Sequence, residues 1–522
     1  MPKAGLQFNK QDEYWTPDEV WDDILPHIDY DPCTTDAQAK KHGILRYDTI
    51  QTDGLKRDWT QFSTIYVNPP FCIAYDTEDE VLTKDGWKKY LEISKDDLIL
   101  SVGSSKQLEY VGIEEIVYQE YTGRMVSYSY PRGTKSALTV TYNHRCVTDE
   151  GFVRAEDLKE GDYYTDGYIW GETDDRRKKV LPEVDTSYWS KNRWGRTFVR
   201  RKVSEKEIGM EDWARFLGLW IADGSIIRGK NPVTGKQKYS IYVGQNCERE
   251  NRVLDIMTPL GFKVHKTKSY SRPNYFHYYI HSVQLWRELE QYGKSDSKFI
   301  PREILDGGAN VLEAFLEGYM FGDSYRSGNG FMLSTRSSRL AKDLQELCLK
   351  LGKICHCSRR KCEYKRQSLP YYQIYLREAN DKLSYHQIKK IDDYSGKIFC
   401  LHLVKNHNFF VKHDGYISNT GNTRKFEFLK KAVDSIKATK NQRIYFLIPI
   451  DSLPTKKFHD VVGDAKYVLI LPNGRIKFDD GSGKKSSPAF GSVILLFSSL
   501  GSSRRVAHIQ INNKKEKNGE AS

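Results

Sequence analysis

Two aspartates and their spacing are the first features of this 522-residue sequence that could do chemistry. Asp223 lies near the end of the apolar stretch 214–225, ARFLGLWIADGS, and Asp323 near the end of 314–324, AFLEGYMFGDS. Aligned on these acids, Gly218 and Gly318 fall at matching positions. Small residues there let two helices approach closely. That packing would set two carboxylates side by side, where they repel unless a cation lies between them. A divalent ion held there could activate water and stabilise a phosphodiester transition state. The competing reading is two ordinary buried helices, each with an acid at the C-terminus, where the helix dipole disfavours it. Basic residues follow each stretch, including Lys266, Lys268 and Arg272 after the first and Arg359, Arg360 and Lys361 after the second. With Tyr278 and Tyr372 they would make a saddle for duplex DNA. Cys355-His356-Cys357 with Cys362 could hold zinc, but the spacing is not a paired CxxC and a strand of small hydrophobes is the plainer reading.

The elements that must position these residues fall into blocks. Each apolar stretch is followed by a helical period (249–260, 338–351), a Gly-led turn and an aromatic strand (275–280, 371–376), so 205–385 predicts a pseudo-twofold unit. Residues 72–165 alternate short strands with turns, an all-β pattern. Residues 1–71 and 420–522 read as α/β, with a helix capped at Thr16 and another over 425–436, and strands at 64–67, 444–450 and 493–497. The net charge of +12, from 81 basic and 69 acidic side chains, favours a polyanionic partner. Nine cysteines without framework spacing predict a reducing compartment, the cytoplasm. The sequence carries no long apolar run and no apolar segment near its first residue, so neither a membrane span nor a secretory leader is expected.

The repeated helix pair resembles the paired motifs of LAGLIDADG homing endonucleases. The resemblance implies double-stranded DNA as partner and Mg2+ held by Asp223 and Asp323; Ser324 stands where the usual terminal residue is Gly. Around that unit, Cys72 with the residues to Thr77, Thr141-Tyr142-Asn143-His144, 151–162, 397–410 and 415–420 resemble, in order, the motifs of a Hint-type intein. By that resemblance the Cys72 thiol attacks the Phe71 carbonyl, while Thr141 and His144 hold the peptide and protonate the departing nitrogen. Thr420 then attacks the thioester, and Asn419 cyclises with His407 assisting, with no cofactor. Ser418 replaces the commoner penultimate His, and Asn422–Thr423 is an alternative junction.

Removing 72–419 joins segments that resemble phage-type DNA adenine N6-methyltransferases. The matches include Tyr30-Asp31-Pro32-Cys33, Asp53-Gly54-Leu55 and Asn68-Pro69-Pro70-Phe71. In such an element, with Pro70 among its residues, Asn68 and Pro69 accept hydrogen bonds from an exocyclic amine and Phe71 stacks on a flipped base. Asp31 and Asp53 are the resemblance-based contacts to S-adenosylmethionine. Cytosine N4 is the alternative target, and a rigid strand-ending turn is the alternative to catalysis. The expected fold class is therefore multidomain. It comprises a Rossmann-like α/β methyltransferase split by insertion (1–71, 420–522), an all-β splicing domain (72–200, 386–419) and an α+β endonuclease domain (201–385). No membrane and no obligatory protein partner is expected, and the setting is a bacterial or phage-infected cytoplasm. The precursor should methylate weakly, because the insertion interrupts the catalytic loop. The rival is a stable DNA-modifying or DNA-binding protein with an inert insertion.

Overall fold

The computed structural model describes residues 16–49, 52, 54–69, 75–76, 79–103, 106–129, 138–141, 144–148, 151–160, 163–164, 168–171, 175–186, 188–192, 195–199, 201–230, 237–270, 272–353, 355–364, 367–377, 383–384, 386–406, 408–413, 416–421, 425–454, 456–472, 476, 478–479, 485–486, 491–499 and 505–509. Among them no helix is long and apolar enough to cross a membrane.

The two ends of the chain share one five-stranded sheet. Thr64–Val67 runs parallel to Arg443–Pro449, and Ser492–Ser498, Tyr467–Pro472 and Arg505–Ile509 follow across it. The sheet is mixed: two of its four pairings are antiparallel. Its strands alternate between two cores, as a period of two requires. Ile65, Val67, Ile444 and Phe446 face the helix Lys425–Ala438, while Tyr66, Tyr445 and Leu447 share the other core with Val20 of the helix Asp18–Asp23. Thr16 does not cap that helix. Pro17 holds the cap position, and the Thr16 hydroxyl is engaged instead with Tyr66 Oη at 2.5 Å.

A twelve-stranded sheet interleaves strands from 75–170 with strands from 386–421. Its spine is Gln107–Ser129 against His386–Leu403, antiparallel with three register shifts. The third region is the repeat. The helix Met210–Asp223 is followed by a four-stranded sheet in the order Gly224–Lys230, Gln237–Asn246, Tyr275–His281, Val264–Lys268, with the helix Glu250–Met257 inserted midway. The helix Ala309–Asp323 is followed by Ser324–Ser327, Gly330–Thr335, Gln367–Arg377 and Cys355–Tyr364 in the same order, with the helix Ser338–Lys350 in the same place. The helix 338–350 belongs to two cores. Leu340, Leu344 and Leu347 pack into the repeat, whereas Leu349 packs with Val81, Leu100 and Phe410 of the twelve-stranded sheet.

Candidate functional site

The two motif helices touch along their glycines. A Cβ on Gly218 would stand 2.2 Å from Phe315 O, and one on Gly318 would stand 2.0 Å from Arg215 O. Neither position has room for a side chain, so backbone lies on backbone. Gly322 extends the contact, since its Cβ would meet Ala222 Cβ at 2.5 Å and Asp223 Oδ2 at 2.9 Å. The acids at the two helix ends are thereby brought together. Burial raises the Asp323 carboxyl to about 7, and the negative charge of Asp223 adds to the rise while Lys298 opposes it. Burial also raises Asp223, partly offset by Lys298, Arg249 and a hydrogen bond from Gln245 Nε2 to its Oδ2.

Lys298 is the residue sequence reading missed. Its side chain is buried, and its Nζ donates to Trp220 O, Ile221 O and Gly224 O, each at 2.9 Å. These carbonyls belong to the end of the first motif helix, where a cation complements the dipole. Burial pulls the ammonium down to about 8, while Asp323 and Asp223 pull it back up. No local pattern marks Lys298, because it comes from the segment after the helix Val283–Glu290, and among the described residues the second half has no such helix between Arg377 and Lys425. The second helix end is finished differently. Ser324 Oγ donates to Met320 O at 2.6 Å, and Arg249 Nη1 to Phe321 O at 2.6 Å. The Ser for Gly exchange fits for that reason. At Gly224 a Cβ would strike the Trp220 ring at 2.3 Å, whereas residue 320 is Met.

Two aromatic residues assigned to the saddle are displaced. Tyr278 is 0 % exposed and lies in the core of the repeat, and Tyr372 packs against that core. Strand alternation turns Tyr279 to the other face, in a ring cluster with Tyr242 (5.4 Å) and His265 (5.2 Å). Lys266 is paired with Glu250 at 2.7 Å. Cys355 is also a core residue, with its thiol pushed up first by a hydrogen bond to Cys348 and then by burial. No group of three or more possible metal-binding side chains occurs among the described residues, and the Cys362 side chain lies outside them.

In the twelve-stranded sheet, Thr141 and His144 are both fully buried, and the His144 N–H donates to Thr141 O at 2.9 Å, closing a tight turn. The strands on either side of this turn pair with two segments far apart in sequence. Val140 pairs with Tyr75, three residues after Cys72, and Cys146 pairs with Thr420. Asn419 and Thr420 lie in the strand Tyr416–Gly421, opposite Phe410 and Phe409. Cys146, unnoticed in the sequence, is buried there, and its thiol is pushed up to about 12 by burial. Cys72, His407 and the alternative junction Asn422–Thr423 lie outside the described residues, as do Asp53, Pro70 and Phe71.

At the end of Thr64–Val67, Asn68 Nδ2 donates to Thr16 Oγ1 at 3.4 Å, and the Asn68 backbone N–H donates to the Cys33 sulfur. Asp31 is next to them. It is 2 % exposed, accepts from Cys33 N at 3.0 Å, and is raised by burial to about 7. Pro69 is buried. The structure thus gathers Asp31, Cys33 and Asn68 at one strand end. The neighbouring buried Asp48, which no motif marks, accepts from Tyr30 Oη at 2.6 Å and Arg57 Nη2 at 3.1 Å.

Comparison with known proteins adds one family and several partial relatives. Residues 310–388 match the LAGLIDADG-like domain family, so the chain carries such a domain. The chain is 24 % identical over 317 residues to the ATP-dependent Clp protease proteolytic subunit of Chlamydomonas moewusii, covering 56 % of this chain and 29 % of that protein. It is 24 % identical over 420 residues to the DNA-directed RNA polymerase subunit beta C-terminal section of Stigeoclonium helveticum (68 % and 36 %). It is 29 % identical over 200 residues to a DNA polymerase of Thermococcus hydrothermalis (36 % and 11 %). The chain therefore spans about a third or less of the length of these relatives. Among solved structures it is similar to I-DmoI in complex with DNA and Ca, at 15 % identity and a TM-score of 0.26 over 32 % of this chain and 83 % of that one. It is also similar to a DnaB intein from Synechocystis, at 14 % identity and a TM-score of 0.16 over 26 % and 82 %.

Proposed function

We propose that this chain is a self-splicing precursor, in which an intein at 72–419 carries a DNA homing endonuclease and interrupts a DNA methyltransferase. The observation that carries the reading is the turn from Thr141 to His144. The segment after Cys72 joins the strand on one side of it, and Thr420 joins the strand on the other. Segments adjoining two peptide bonds 348 residues apart in sequence thus pair with the strands flanking one buried imidazole. His144 protonates the amide nitrogen released when Cys72 Sγ attacks the Phe71 carbonyl, leaving a thioester. Thr420 Oγ1 then takes the acyl group, and Asn419 Nδ2 attacks its own carbonyl, closing a succinimide and freeing the insert. An O-to-N shift leaves Phe71 and Thr420 joined by a peptide bond. The three curated relatives support a mobile element as well, because their names denote three unrelated activities.

For the endonuclease, two hard carboxylate donors with adverse burial fit a magnesium ion, whose remaining positions are ordinarily filled by water and substrate phosphate. When bound, the ion supplies a nucleophilic water and neutralises charge on the phosphodiester. Asp223 and Asp323 would hold it, Gln245 orients Asp223, and Lys298 keeps a cation beside both. For the methyltransferase, a buried acid beside the Asn68 strand end fits a cationic, hydroxyl-bearing cofactor. S-adenosylmethionine would supply the methyl group, with Asp31 and Asp53 as its contacts. Asn68, Pro69, Pro70 and Phe71 orient the exocyclic amine of adenine.

The experiment is intact mass of the protein expressed in bacteria, beside a Cys72→Ala control. A ligated product lacking 72–419 and a free insert ending in succinimide or Asn are expected. One full-length species in both samples would refute splicing and favour a permanently inserted, DNA-modifying protein.

A further inference from the structure

Before the first motif helix runs an antiparallel arm that none of the three activities uses. It consists of three successive two-stranded ladders: Lys178–Leu181 with Lys206–Gly209, Val184–Asp185 with Lys202–Val203, and Tyr188–Asn192 with Gly195–Val199. Thr186 N donates to Arg201 O at 2.7 Å and ties the second ladder to the third. Among the described residues the outermost ladder pairs with no other strand. The 15 residues from 178 to 192 span up to about 50 Å when extended at ~3.3 Å per residue.

Charge is graded along the arm. Near the base it is balanced, with Lys178 on Glu207 at 2.5 Å and Lys202 on Glu183 at 2.8 Å. Beyond, residues 187–201 hold five basic side chains and no acidic one. The backbone register sets position 191 (Lys) opposite 196 (Arg) and 189 (Trp) opposite 198 (Phe). Like charges directly opposite are unfavourable in an isolated ribbon and become favourable against a polyanion. A two-stranded ribbon also fits the major groove.

We propose that this arm is a second DNA-binding element, gripping duplex DNA outside the stretch held by the two repeat sheets. The choice of duplex DNA rests on the endonuclease reading. The test uses the full chain, a fluorescein-labelled 60-bp random duplex in Ca2+, and titrations from 50 to 200 mM KCl. Each lost phosphate contact lowers the slope of log affinity against log salt by about 0.9. K191Q/R193Q/R196Q/R200Q should therefore lower its magnitude by about 3 to 4 and weaken binding at least tenfold at 50 mM KCl. The swap K191R/R196K should keep the wild-type slope. Replacing 188–199 by Asn-Gly, which closes the second ladder with a short turn, should reproduce the loss without loading charge onto a ribbon. An unchanged slope in both the neutralised and shortened arms overturns the proposal. So does a loss confined to single-stranded RNA or to anionic vesicles. A chain that binds through the arm yet cuts no DNA would refute the endonuclease reading and leave the arm standing. A chain that cuts with an arm-independent slope would do the reverse.

Discussion

Gly318→Ala puts a methyl group where the structure has a carbonyl oxygen. Its Cβ would lie 2.0 Å from Arg215 O, 2.9 Å from Arg215 C and 3.1 Å from Leu219 N. Contacts below 3.0 Å are essentially never sustained, so the helices must part by at least 3.0 − 2.0 = 1.0 Å. Asp323 lies five residues further along, about 7.5 Å at a rise of ~1.5 Å per residue, so most of the parting reaches the carboxylates. Overpacking of this kind costs about 1–3 kcal/mol. A misplacement near 1 Å at a reacting centre costs roughly 100-fold in rate. The expected result is a cleavage rate at least 100-fold lower, and a melting transition of the repeat lowered by several degrees. Gly218→Ala should behave alike, since its Cβ would meet Phe315 O at 2.2 Å. Gly229→Ala is the control, because no atom lies within 4 Å of that Cβ. Calorimetry and cleavage of a plasmid substrate read both effects. Wild-type melting and cleavage in Gly318→Ala would refute the backbone-on-backbone contact, and with it the account of how the two acids meet.

Three further outcomes are expected. Lys298→Met should lower cleavage about 100-fold or more while leaving DNA affinity in Ca2+ within about threefold; retained cleavage would make Lys298 a helix-capping cation only. Asp343, which accepts from Ile300 N at 2.9 Å, is raised to about 7, first by burial. A carboxyl raised on folding contributes stability that is full below its unfolded value near 4 and lost as pH rises through 7, so Asp343→Asn should melt higher than wild type at pH 8 and not at pH 4; equal shifts at both would remove the proton linkage. Gln442→Ala should slow the appearance of ligated product severalfold in a time course, because fully buried Gln442 Nε2 donates to Trp59 O and Phe62 O, both at 2.8 Å, and so joins the two flanking segments. Unchanged splicing would show that the flanks need not be docked.

Legibility tracked how local each signal is. The repeat was legible because two glycines and two acids recur at the same offsets within single helices, and the sheets repeat the same order behind them. Most strand positions were read to within a residue or two, though the strand expected at 371–376 begins at Gln367, and the face each residue takes was not legible. Tyr278 and Tyr279 differ by one position and lie on opposite faces, and only the pairing with Gln237–Asn246 decides which is buried. Thr16 has the composition of a helix cap, yet the strand residue Tyr66, 50 positions away, claims its hydroxyl. Lys298 had no signal at all, since three carbonyls of a helix 74 to 78 residues upstream define its role. Residues whose function depends on remote backbone are invisible to spacing.

One geometric demand unites the chemistry of the insertion with the folding of its flanks. Val67 pairs with Phe446, 379 residues later, in a sheet formed while the insertion is present. Closing a flexible loop of that length would cost about 5 kcal/mol from (3/2)RT ln n, a large part of the stability of a small domain. The insertion removes most of that cost by folding on itself. Its first described strand meets residue 140 and its last meets residue 146, and those positions are at most about 20 Å apart along the chain. Only short connections then separate the insertion from the flanking sheet. The proposed splicing needs the same convergence, because in it one acyl group passes between residues 71 and 420. An insertion that could not bring its ends together would fail at both tasks, so under the proposed splicing the turn from Thr141 to His144 is where folding of the flanks and reactivity of the junctions would be coupled.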